Sequence, residues 1–180
     1  EDITRLGQDF SRNTREDVRH IKVTAKQLEG MPEDFIDQHP LDDAGLAQIS
    51  TEYPDVYPFL RYAIDDEKRL EIYREYLNRG YPANKQVLKD IILKRYELAQ
   101  LLGYPDYASY VTEDLMVKSP QVVDNFIKRI NKLAEPRAQS DYAQLLAMLK
   151  QQAPDATAVG NWQKAYLEEQ VRKQQYQLDT

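Results

Sequence analysis

The chain has few of the residue types that perform chemistry in proteins. Among its 180 residues there is no cysteine, and there are two histidines, His20 and His39. The lack of cysteine excludes disulfides and thiolate catalysis, and it is compatible with both the cytosol and the periplasm. The sequence also lacks a glycine-rich phosphate loop and a Ser/His/Asp motif. We therefore assign no catalytic, cofactor-binding or metal-ligating residue.

Two further absences limit the expected partners. The net charge is −6, and lysines and arginines are dispersed among acidic residues, so the sequence lacks the clustered positive charge that binds a phosphate backbone. No segment approaches the roughly 18 consecutive apolar residues of a membrane span. We expect neither a nucleic-acid nor a membrane partner. The hydrophobic content of 42% and charged content of 30% are typical of globular chains.

Hydrophobic periodicity predicts a mostly α fold with one short two-stranded ribbon. Residues 2–17 have helical spacing, whereas residues 20–24 and 46–50 alternate as strands do. We expect residues 1–180 to form a single helical fragment, in which 1–52 contain a helix and the ribbon and 53–180 are helical. Ser119 and Pro120 predict the start of a long helix, which Pro136 is expected to bend or break.

Local signals predict where the other helices begin and pair. Asp65 or Asp66 is expected to cap a helix that carries Leu70, Tyr73 and Leu77 on one stripe, and Asp106 is expected to cap another. The i,i+4 spacing predicts ion pairs of Asp65 with Arg69 and of Glu75 with Arg79. The most regular helical pattern covers residues 84–102 and ends at Gly103.

The titratable residues give little indication of a catalytic site. His20 and His39 lie 19 positions apart, without the spacing that places two imidazoles on one helical face, so we expect surface or structural roles. The acidic runs 42–43 and 65–67 are open to two interpretations. They are carboxylate pairs for acid–base chemistry or, as we favour, groups at helix starts.

Tyrosines and one arginine allow more than one interpretation. Six of the thirteen tyrosines fall within residues 53–81. They predict either a half-buried seam between helices, which we favour, or a peptide-binding surface. Arg95 lies on the apolar stripe of residues 84–102. We expect a structural ion pair there, with snorkelling or a substrate carboxylate as alternatives.

Several segments in order resemble one enzyme family. Residues 51–60, 84–88 and 95–104 are similar to segments of the zinc oligopeptidases that include thimet oligopeptidase, neurolysin and oligopeptidase A. Residues 27–35, 107–111 and 116–118 resemble further family segments, as does Trp162 with Tyr166. Val117 and Gln163 depart from the family pattern, which usually has Ala and Asp there. The resemblance covers nearly the whole chain.

The resemblance implies a zincin-like, mostly helical, two-lobed peptidase with a deep channel that admits short peptides. Family members hold zinc with His-Glu-x-x-His and a downstream Glu, and that motif is absent from this sequence. We therefore expect an interior fragment, cut at both ends and upstream of the zinc motif, whose partners are short peptides and the remaining catalytic part of the polypeptide. The resemblance implies that the parent enzyme holds zinc, and we expect this chain to bind none. The alternative is a stand-alone peptide-binding or interaction module without catalysis.

Overall fold

A computed structural model of the protein describes the backbone of residues 2–176 and the side chains of residues 2–175. Two compact units are present. The first unit contains the chain up to Asp17 together with Gly80–Gln139, and the second contains Val18–Arg79 together with the chain from Ser140 onward. That the chain is a single helical fragment stays a prediction.

The elements of the described residues confirm the predicted fold class, mostly α with one two-stranded ribbon. No helix in this part of the chain is long and apolar enough to cross a membrane. A short 3-10 helix follows the first strand. In chain order the elements are α1 (Asp2–Glu16), β1 (His20–Thr24), the 3-10 helix (Ala25–Leu28), α2 (Glu33–Gln38), β2 (Leu46–Ser50), α3 (Tyr53–Tyr62), α4 (Asp66–Leu77), α5 (Ala83–Leu101), α6 (Tyr107–Glu113), α7 (Pro120–Gln152) and α8 (Asn161–Tyr176).

The ribbon forms the base of the core of the second unit. Strands β1 and β2 pair antiparallel, with Ile21 opposite Ile49 and Val23 opposite Ala47. These four side chains are buried, because alternation along a strand places every second residue on the same face. They pack with Phe59 of α3 and other apolar residues in one cluster. The structure therefore confirms both the predicted positions of the two strands and the residues predicted to share a face.

The buried face of α4 differs from the predicted stripe. Arg69 and Ile72 are its buried residues, whereas Leu77 is exposed. Arg69 is only 2% exposed. Its guanidinium donates to the carbonyls of Ala63 and Ile64. Burial lowers the pKa of Arg69 against the opposing effect of a nearby carboxylate. A buried cation requires hydrogen-bond acceptors and a carboxylate, whereas a stripe of leucines requires neither.

Asp66 is the carboxylate that Arg69 uses, at 2.7 Å, so the predicted pair with Asp65 is wrong. Asp65 caps α4 instead and accepts a hydrogen bond from the Lys68 amide at 3.0 Å, as its position in the sequence predicted. The two adjacent acids thus have separate roles. A capping side chain is turned toward the first free amides of the helix, which leaves the next residue to reach the arginine three positions later.

The same Asp66 carboxylate ties α4 to α8. It accepts the indole N–H of Trp162, at 3.2 Å from either oxygen, and the side-chain amide of Gln163 at 3.0 Å. The guanidinium of Arg69 lies 4.0 Å from the ring centroid of Tyr166 in the same helix, a cation–π distance. Three residues of α8 are therefore fixed by one ion pair of α4.

Asn84 organises the first unit, in which α1 packs against α5. Its side-chain amide donates to the carbonyl of Phe10 at 3.0 Å and to the hydroxyl of Thr14 at 2.9 Å, and its oxygen accepts from Asn13 at 2.9 Å. Gly80 has a φ of +76°, and a Cβ there would lie 2.5 Å from the Asn84 amide nitrogen. Glycine is therefore required on both conformational and steric grounds.

Pro136 does not end its helix. Helix α7 continues from Pro120 to Gln152 with Pro136 inside it, so the predicted break is wrong. Proline removes one N–H from the helical ladder, but the turns on both sides keep their own hydrogen bonds. The start of α7 agrees with the sequence, since the Val122 amide donates to the Ser119 hydroxyl at 3.4 Å.

Replacing Asp66 by Ala is expected to destabilise the chain by about 2–3 kcal/mol, because Arg69 would stay buried without a carboxylate and two donors of α8 would lose their acceptor. Glu67→Ala is the matched control, since it removes an adjacent, exposed charge and should cost less than about 0.5 kcal/mol. Urea unfolding followed by circular dichroism measures both. Equal effects of the two variants would contradict the role given to Asp66.

Asn84→Ala is expected to cost about 2–3 kcal/mol, since three buried or half-buried hydrogen bonds of roughly 1 kcal/mol each are lost. The control is Gln86→Ala on the same helix, where only an exposed contact to Asp90 is removed. The free energies of unfolding of both variants are compared in urea. A loss below about 0.5 kcal/mol for Asn84→Ala would show that α1 does not depend on this side chain.

Candidate functional site

The two histidines have the surface and structural roles that the sequence predicted. His20 is exposed on β1. His39 follows α2 and stacks on Phe35 with ring centroids 4.2 Å apart. Its Nδ1 lies 2.7 Å from the Phe35 carbonyl oxygen and its Nε2 lies 3.2 Å from a carboxylate oxygen of Asp55. The imidazole thus joins the end of α2 to the first turn of α3.

Ser50, Asp55 and His39 form a grouping that the sequence did not reveal. The hydroxyl and amide of Ser50 both donate to the second oxygen of Asp55. The carboxylate therefore lies between the serine and the imidazole. A nucleophilic serine needs a neighbouring base that takes its proton, and here the imidazole does not contact the hydroxyl. The grouping is a structural network that connects β2, α3 and the end of α2.

The residues present do not fit a zinc centre. In the part of the chain that the structure describes, no group of three or more His, Cys, Asp or Glu side chains could hold a metal ion. A catalytic zinc site takes three protein ligands and a structural one takes four. The absence of metal-ligating and catalytic residues stays a prediction for the chain as a whole.

The acidic runs do not form carboxylate pairs. In the first run, Asp42 accepts hydrogen bonds from the amides of Ala44 at 2.9 Å and Leu46 at 3.0 Å. This is a turn that leads into β2, so the expected location at a helix start is wrong for this run. The second run does lie at a helix start, where Asp65 caps α4.

Arg95 has no buried carboxylate partner in the described residues. It is exposed, and its guanidinium lies 5.2 Å from the ring centroid of Tyr107. The predicted structural ion pair is therefore wrong. The reason is that this part of α5 is accessible to solvent, since Leu88 and Ile92 are also exposed. An arginine at an exposed position needs no ion pair.

The tyrosines of residues 53–81 divide into two groups. Tyr62, Tyr73 and Tyr76 pack against the core of the second unit, as a half-buried helix seam predicts. Tyr53, Tyr57 and Tyr81 are 61%, 53% and 61% exposed, so the seam interpretation is wrong for them. Aromatic rings that remain this exposed are available to a ligand.

Tyr53, Tyr57 and Tyr76 form one cluster. The rings of Tyr53 and Tyr57 are stacked with centroids 5.3 Å apart, and the Tyr76 centroid lies 6.4 and 6.1 Å from them. The hydroxyls of Tyr57 and Tyr76 are 3.2 Å apart. The pKa of Tyr76 is raised, mainly by partial burial and to a smaller extent by this hydrogen bond.

Arg79 completes this cluster from the end of α4. Its Nε donates to the Tyr76 carbonyl at 3.2 Å, and its guanidinium lies 4.2 Å from the Tyr76 centroid and 5.9 Å from that of Tyr53. The predicted pair with Glu75 is wrong, because Glu75 pairs with Arg19 at 3.3 Å. Among the described residues Arg79 has no carboxylate partner. We call Tyr53, Tyr57, Tyr76 and Arg79 the tyrosine platform.

A groove between α3 and α8 adjoins the platform. Its volume is about 610 Å³, which is within the range of ligand-binding clefts. Tyr57 belongs to both the groove and the platform. The lining residues are Tyr57, Pro58, Leu60, Arg61 and Tyr62 of α3 and Asn161, Lys164, Ala165 and Glu168 of α8.

Comparison with known proteins gives consistent matches to one group of enzymes. Residues 59–180 match the family model described as Peptidase family M3. A thimet-like oligopeptidase of Dictyostelium discoideum is 34% identical over 78% of this chain and 21% of its own length. A mitochondrial intermediate peptidase of Coccidioides immitis is 31% identical over 92% of the chain and 20% of its length. Oligopeptidase A of Salmonella typhimurium is 27% identical over 98% of the chain and 28% of its length.

The matches agree with the resemblance noted in the sequence. The chain spans between 20 and 28% of the length of these three relatives. The family match covers the residues from Phe59 onward, and it thus includes both partners of the Arg69–Asp66 pair and the whole of α5. From this match we conclude that the chain belongs to peptidase family M3.

Proposed function

We propose that the chain is a helical scaffold and channel-wall segment of a longer zinc-dependent metallopeptidase that hydrolyses short peptides. By itself the chain has no peptidase activity in this proposal. The observation that carries it is the family match over residues 59–180 in a chain that spans about a fifth of a thimet-like oligopeptidase. A segment of that size is expected to hold part of an enzyme's framework.

The potential metal ligands of the chain also support a scaffold role. The described residues offer no group of three metal ligands, and the two histidines are either exposed or bound to Phe35 and Asp55. The proposal therefore assigns the zinc to another part of the longer polypeptide. That part and the short peptides are the proposed partners of this chain.

The scaffold role is also supported by how the second unit is held together. The ion pair of Arg69 and Asp66 joins α4 to α8 through Trp162 and Gln163. These contacts position helices without presenting a free reactive group. A rigid framework of this kind is what a substrate channel needs, since catalytic and binding groups must be held within fractions of an ångström.

The purified 180-residue chain is expected to hold no stoichiometric zinc and to leave a quenched fluorogenic peptide uncleaved. The reason is that a zinc site requires at least three convergent ligands. Zinc content is measured by atomic emission after dialysis. The peptide assay is run with and without a chelator.

The longer polypeptide from the same gene is the positive control for both assays. It is expected to contain zinc and to cleave the peptide in a chelator-sensitive way. Chelator-sensitive cleavage by the 180-residue chain would contradict the scaffold role. A reading frame that stops near Thr180 would instead favour a binding module without catalysis.

A further inference from the structure

We propose that the second unit binds an acidic peptide segment across the tyrosine platform and the groove between α3 and α8. The ligand is an extended segment with at least two Asp or Glu side chains and an aromatic side chain between them. This binding goes beyond the peptidase activity proposed above, because it depends only on residues of this chain and involves no bond cleavage.

Arg79 is positioned to bind an anion. The guanidinium is held in place, since its Nε donates to the Tyr76 carbonyl and its Cζ lies 4.2 Å from the Tyr76 ring centroid. Its other nitrogens have no carboxylate partner in the described part of the chain. An arginine that is already ordered loses little conformational entropy when it binds an anion. It is therefore suited to a carboxylate.

Arg61 supplies a second positive charge, since it lines the groove together with Tyr57. Its guanidinium lies 6.0 Å from the Tyr62 centroid, and no described carboxylate pairs with it. Lys164 in the same groove is paired with Glu168 at 3.7 Å, so that charge is balanced. The guanidiniums of Arg61 in the groove and of Arg79 in the platform are thus both without a described carboxylate partner, and Tyr57 belongs to both surfaces. This local positive charge favours an anionic ligand.

The exposed tyrosine rings favour a peptide as the ligand. Tyr53 and Tyr57 present exposed stacked rings, which bind aromatic and proline side chains well. A nucleic acid would also stack there, but it needs a continuous basic groove, whereas the described platform and groove offer two separate guanidiniums, those of Arg61 and Arg79. A peptide C-terminus supplies a single carboxylate for two guanidiniums. Two acidic side chains spaced along a segment supply one carboxylate for each guanidinium.

The test is fluorescence anisotropy of the 180-residue chain with a short labelled peptide. The peptide is amidated at its C-terminus and has alternating Glu and Phe residues, and its partner peptide has Gln in place of Glu. Arg79→Gln and Arg61→Gln are each expected to weaken binding of the acidic peptide about three- to fivefold. Arg74→Gln is the matched control, because Arg74 is an exposed cation on α4 that contacts no tyrosine of the platform. Its effect should stay below about twofold.

Three results would overturn the proposal. One is equal affinity for the acidic and the Gln peptide, and another is an equal loss of binding in Arg74→Gln and Arg79→Gln. The third is self-association of the chain that Arg79→Gln abolishes in sedimentation, which would make a second copy the occupant. If Arg79→Gln does not fold, as judged by circular dichroism, the wild-type chain is titrated instead. The ring resonances of Tyr53 and Tyr57 must then shift with the acidic peptide, and unchanged resonances would refute the site.

Discussion

The second unit depends on the burial of one positive charge. Arg69 lies where an apolar residue would cost nothing to bury, and its charge requires compensation from several directions. The carbonyls of Ala63 and Ile64 come from the segment between α3 and α4, and the carboxylate of Asp66 comes from α4. The ring of Tyr166 comes from α8. The charge therefore fixes α4, α8 and the segment that follows α3 at one point, next to the tyrosine platform and the groove.

Local patterns in the sequence were sufficient for elements whose structure has a local cause. The ribbon was predicted in position, because Ile21 and Val23 alternate with polar residues in β1. Asp65 and Asp106 cap the helices expected of them, each accepting an amide three residues later. The family was also visible in the sequence, because its similar segments occur in order along nearly the whole chain. Caps, periods and motifs need no knowledge of what lies across the fold.

Partner choice was not predictable, since it depends on side chains that other elements supply. The i,i+4 spacing allowed Glu75 to pair with Arg79, but α4 ends at Leu77, Glu75 pairs with Arg19 in the folded chain, and Arg79 binds tyrosine rings instead. The grouping of Ser50, Asp55 and His39 had no sequence signal for the same reason. Each case shows competition between a contact within one helix, worth a few tenths of a kcal/mol, and a contact that tertiary structure supplies.

The central physical claim is that the Arg69–Asp66 pair makes α3, α4 and α8 one cooperative unit. Native-state hydrogen exchange of the 180-residue chain tests it most directly, because it gives the free energy of opening for each amide. The account predicts that slow amides of α4 and α8 open together, with free energies equal within about 0.5 kcal/mol. Exchange of the α8 amides at a free energy about 2 kcal/mol or more below that of α4 would contradict it.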